Sequence, residues 1–140
     1  MLTRRGFAGC AICAITGFIA SDASAQGAPP AAAPGFSRKI LSQMEGPTPG
    51  YVTIVVEATV NPGVVVPRHT HPGIESAYVL EGTIELPIQG QPTKSYSVGE
   101  TYQVPPETPH AGGKASDKQI RFTATYVVEK GKPLASPAPA

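Results

Sequence analysis

GVVVPRHTHPGIESAYVLEG, residues 63–82, sets His69 and His71 one residue apart and Glu75 four residues after the second histidine. Side chains along a strand alternate with period two, so His69 and His71 share a face as neighbours roughly 6 to 7 Å apart, and both imidazoles reach one ion. On that parity Pro67 points inward with them, and Arg68 and Thr70 point outward. Pro72 and Gly73 read as a turn, which lets the Glu75 carboxylate come back towards the same ion. The third histidine, His110, ends GETYQVPPETPH at residues 99–110, and the chain has no other. A lone histidine pair on a strand is more often surface or core than ligand; two short stretches holding every histidine argue otherwise.

Around this stretch the chain reads almost wholly as strands. Val52, Ile54, Val56, Ala58 and Val60 alternate with Tyr51, Thr53, Val55, Glu57 and Thr59, as in a strand with one buried face. Ile120, Phe122, Ala124, Tyr126 and Val128 repeat the pattern. Further strands are expected at Ser76 to Leu80, Thr83 to Ile88, Thr93 to Val98 and Thr101 to Val104, with turn residues between them. Arg38 to Met44 fits an edge strand or a short helix. Proline spacing forbids a long helix, and many short strands with turns between them imply an all-β sandwich or barrel.

Gly63, His69, His71, Glu75 and Gly82, followed by Gly99, Pro105 and His110, resemble the two sequence motifs of the cupin superfamily. The second stretch departs from the family pattern twice, with Glu107 where a glycine is usual and Lys114 where an asparagine is usual. The resemblance is to the small single-domain, dioxygenase-like cupins. It implies a cupin double-stranded β-helix, a jelly-roll barrel, with a metal inside its mouth.

Length leaves room for one domain. MLTRRGFAGCAICAITGFIASDASAQ has an arginine pair, an apolar run and Ala23-Ser24-Ala25 as a cleavage site, which reads as an export signal over residues 1–25. Thr3 to Phe7 resembles the twin-arginine type, so the expected location is periplasmic or secreted. The run from Gly6 to Ala20 is shorter than the ~20 residues of a membrane span. Cys10 and Cys13 leave with the signal, so no disulfide or thiolate ligand is expected in the mature chain. Residues 26–36 and 131–140, rich in proline and alanine, are expected to be a flexible linker and a disordered tail flanking a cupin domain at 37–130.

Loss of Arg4, Arg5 and Asp22 takes the chain from 11 basic and 10 acidic residues to 9 of each. Neither a basic surface nor a glycine-rich phosphate loop is evident, which argues against nucleic-acid and nucleotide partners. Three imidazoles and a carboxylate suit one divalent transition metal: iron or manganese first, then nickel, cobalt or zinc, with coordination positions left open. Tyr102, Phe122 and Tyr126 are expected to line a mainly apolar pocket for a small organic molecule. Glu75, Glu107 and the two tyrosines are the candidates for acid–base work, though Glu107 reads better as a solvated loop carboxylate. The function expected is a metal-dependent, dioxygenase-like oxidoreductase. The alternative is a non-catalytic periplasmic metal or small-molecule binder, since fold does not fix function. A homodimer is compatible with either.

Overall fold

The computed structural model describes residues 34–139. The expected export signal, and residues 26–33 of the expected linker, lie outside the described residues.

Strict alternation produces the two longest inner strands. β2 (Tyr51–Val60) and β8 (Ile120–Glu129) bury every second residue and pair antiparallel over their full length. β4 (Gly73–Glu81) pairs with the other side of β8, and β7 (Thr101–Val104) pairs with β4. β1 (Phe36–Glu45) pairs with β2 and takes the edge, which completes a five-stranded sheet in the order β1-β2-β8-β4-β7. Arg38 to Met44 is therefore an edge strand. Its register shifts between Ile40 and Ser42, and most of its residues are exposed, so no clean alternation marked it as a strand.

Two short ribbons complete the architecture: β5 (Thr83–Leu86) with β6 (Lys94–Ser97), and β3 (His69–Thr70) with β9 (Ser136–Pro137). The inner face of the large sheet and residues Ile84, Leu86 and Ile88 form one apolar cluster. Burial of that continuous surface is the main favourable term in folding. The described residues form no helix, so the all-β expectation holds.

The structure corrects two expectations. Of the disordered tail expected at 131–140, the described residues 131–139 are ordered: Leu134 and Ala135 are buried, Ser136 and Pro137 pair with β3, and the Ala138 N–H donates to the Arg68 carbonyl at 3.1 Å. Proline is tolerated there because an edge strand needs few ladder donors. The parity extrapolated back from His69 also fails, because residues 64–68 form no strand. Pro67 is exposed and Val66 is buried in its place, while Arg68 is half-buried and donates to Gln89 at 2.8 Å.

Candidate metal centre

β3 and β4 bring His69, His71 and Glu75 together, and the loop after β7 brings His110. His69 and His110 are tied by reciprocal backbone hydrogen bonds of 2.9 and 3.0 Å. The Glu107 N–H donates to the His71 carbonyl at 2.9 Å, which fastens the same loop to the other ligand candidate. Gly73 and Gly82 frame the hairpin side. A side chain at Gly73 would collide with the Val127 carbonyl, and Gly82 adopts φ 77° with the Gln119 carbonyl 2.5 Å from where a Cβ would lie.

The ligand atoms of His69, His71 and His110 all lie within 4.8 Å of one another. Each ring is held from behind by a backbone carbonyl: His69 Nδ1 by Pro67 at 2.7 Å, His71 Nδ1 by Leu134 at 2.6 Å, and His110 Nδ1 by Thr108 at 2.9 Å. A carbonyl only accepts, so each Nδ1 is the donor, and each ring turns its Nε2 towards the shared space. Glu75 Oε2 lies 3.1 Å from both His71 Nε2 and His110 Nε2. Its other oxygen, Oε1, accepts from Tyr126 at 3.2 Å and Tyr102 at 3.4 Å.

Three Nε2 atoms and one carboxylate oxygen thus converge in a buried space. Such a cluster needs a cation or extra protons to be stable. His71 Nε2 is buried and makes no hydrogen bond, despite its distance from Oε2. The residues fit a divalent transition metal: the three histidines could hold the ion, and Glu75 stands beside them.

The electrostatics point the same way. Burial, with the neighbouring His110 second, lowers His69 from 6.5 to about 4, so its ring is neutral at pH 7. Burial by itself would raise Glu75, but the contacts from His110 and His71 outweigh it and hold the carboxyl below its usual range. Burial, then the charge of Glu75, pushes Tyr102 and Tyr126 well above 10. Both phenols stay protonated and serve as donors to Glu75.

Tyr102, Phe122 and Tyr126 all line the cavity beside His69 and His110. That cavity has a volume of about 20 Å³, room for a water-sized group and no organic ring. The tyrosines are therefore occupied with Glu75 rather than free for acid–base work. Glu107 is exposed and takes φ 53°, the left-handed conformation that glycine adopts most easily. Lys114, the second departure from the motif, places its N–H 3.3 Å from Glu85 Oε1. Sequence reasoning missed two contributors. The Leu134 carbonyl left no side-chain signal. Arg38, which lines the cavity, shares the parity of buried Phe36 and could have been found that way.

The sequence profile of the cupin domain matches residues 56–128, more than half of the chain, from the middle of β2 nearly to the end of β8. The chain belongs to the cupin family. Curated proteins give this cupin no sequence match. Similar solved structures include a protein with a double-stranded β-helix domain from Klebsiella pneumoniae, with TM-score 0.62 and 14% identity over 80% of this chain and 91% of that one. The polyketide cyclase RemF from Streptomyces resistomycificus has TM-score 0.62 and 23% identity over 81% and 77%. The DMSP lyase DddQ from Ruegeria pomeroyi has TM-score 0.60 and 22% identity over 74% and 51%. At these identities the likeness concerns the fold. Among the described residues, no helix is long and apolar enough to cross a membrane.

Proposed function

We propose that this cupin is an exported protein that binds one divalent transition metal through His69, His71, Glu75 and His110 and acts on a small organic substrate as a dioxygenase-like oxidoreductase. The observation that carries the metal site is the set of three rings with Nδ1 committed to carbonyls and Nε2 turned to one buried point beside Glu75. Iron or manganese is the expected ion. A metal held there would supply Lewis acidity and open coordination positions. The chain's own part is to orient the rings through the three carbonyls, to fix the Glu75 carboxylate with two phenol donors, and to exclude bulk water with apolar walls. Two similar folds, the lyase and the cyclase, belong to enzymes named for small-molecule chemistry.

The small cavity favours a second reading, a non-catalytic binder, because little substrate fits beside the histidines. Elemental analysis of protein from its own periplasm, followed by dioxygen uptake by iron-loaded protein with diphenols, flavonols and diketones, separates the two. Uptake with one of these classes supports the enzyme. A tightly held redox-inert metal with no uptake across the panel supports the binder. Export by the twin-arginine route would let the barrel close around its ion before crossing the membrane. Arg4 and Arg5 changed to lysine should then block export, and correct delivery of that variant would remove this part of the proposal.

A further inference from the structure

Arg38 is a cation in a place where the strand pattern calls for an apolar side chain. It lies opposite Ala58 in the β1–β2 ladder, and Phe36 lies opposite Val60. Directly opposed residues share a face, and Ala58 and Val60 are buried, so Arg38 belongs to the inner face of the sheet. Ala58 is the one small residue among the inner positions of β2. The guanidinium carbon sits 4.8 Å from the centre of the Phe36 ring. Its Nε is buried and has no hydrogen-bond partner, and Arg38 lines the same cavity as His69, Glu75 and His110.

A buried guanidinium donor without an acceptor is costly and calls for a partner. The cavity wall supplies none. Glu75 is the single acidic residue lining it, and both its oxygens are engaged, one by the tyrosines and one by the histidines. A divalent ion beside a single carboxylate would add further positive charge.

We infer that the ligand of this cupin is a small organic anion, a carboxylate, whose head group Arg38 holds through its Nε edge beside the histidines. The planar fork of arginine matches a carboxylate with two parallel hydrogen bonds. The cavity is water-sized, so one carboxylate oxygen enters it at the Nε edge and the rest of the ligand stays outside. The inference deepens the proposed function and rests on the metal reading only for the added charge of the ion.

The test uses the mature chain, zinc-loaded and chelator-treated, with acetate and benzoate as probes and acetamide and benzamide as their uncharged counterparts. Calorimetry gives the affinities, and the nitrogen-15 shift of the Arg38 Nε–H reports direct contact. Benzoate should move that signal and bind at least about tenfold more tightly than benzamide, as a charge-assisted hydrogen bond requires. Arg38→Gln should remove most of that preference while leaving zinc content and benzamide affinity unchanged. Arg38→Lys should restore only part of it, because an ammonium lacks the fork. Equal affinity for acid and amide, wild-type benzoate binding by Arg38→Gln, or loss of zinc from that variant would overturn the inference. If the wild-type protein takes no zinc, the metal reading fails. An Arg38-dependent preference for benzoate in the chelator-treated protein would then still uphold the anion site.

Discussion

Ending the chain at Gly131 removes a segment that touches the site only through its backbone. The deletion takes away the Leu134 side chain, 5% exposed, and the carbonyl that accepts from His71 Nδ1 at 2.6 Å. Burial of a leucine contributes about 2 to 3 kcal/mol. A buried N–H left without its acceptor costs about 1 to 3 kcal/mol more, less whatever entering water restores. Freedom regained by the removed residues works in the opposite direction, so the change in urea stability of the metal-free protein should be smaller than these losses. The larger effect should fall on the metal, because loss of the group that orients a ligand histidine typically weakens affinity about 10- to 100-fold.

Leu134→Ala separates the two contributions. It keeps the carbonyl, so it should cost about 2 to 5 kcal/mol of stability yet leave metal affinity within a few-fold of wild type. Chelator competition with zinc measures the affinity. A Gly131-terminated protein with wild-type stability and wild-type zinc affinity would refute the docking of this segment and the role of the Leu134 carbonyl.

Acid should destabilise the metal-free protein early. His69 titrates near 6.5 unfolded and about 4 folded, so the unfolded chain binds more protons in that window. Stability is therefore full above pH 6.5 and falls on the way down to pH 4, by on the order of 2 to 3 kcal/mol, as urea midpoints against pH will show. Glu75, held low in the folded state, adds a further loss below its ordinary carboxylate range. Tyr126→Phe removes a donor to a buried carboxylate and should cost about 1.5 to 3 kcal/mol. Tyr102→Phe, with the longer contact, should cost less by the same unfolding assay. Glu107→Gly should leave the melting temperature equal or raised, since glycine accepts φ 53° freely, whereas Glu107→Val should lower stability by about 1 to 3 kcal/mol.

The parts of the fold that the sequence made legible were those with long, one-sided burial. β2 and β8 show it over ten residues each, and their limits match the alternation. His69, His71 and Glu75 were legible because their spacing is local, whereas His110 was legible through the motif resemblance and is brought in by the loop after β7. Residues 131–140 were not legible, because composition reports how little a segment can bury and not whether one leucine finds a slot. β3 and β9, two residues each, are too short to display a period. Arg38 shares the parity of Phe36, but β1 is a mostly exposed edge strand whose residues do not alternate cleanly, so that parity was easy to pass over.

The central claim is that three histidines hold one metal ion at a single buried point beside Glu75. Its most direct measurement is the metal stoichiometry of wild type against His71→Ala, with circular dichroism showing that the variant keeps its β structure. His71 is the choice because its Nε2 is buried and makes no hydrogen bond, so a metal is the partner assigned to it. Dialysed wild-type protein should hold one zinc or manganese ion per chain, and folded His71→Ala should hold almost none under the same conditions. Full occupancy in the folded His71→Ala protein would contradict the account.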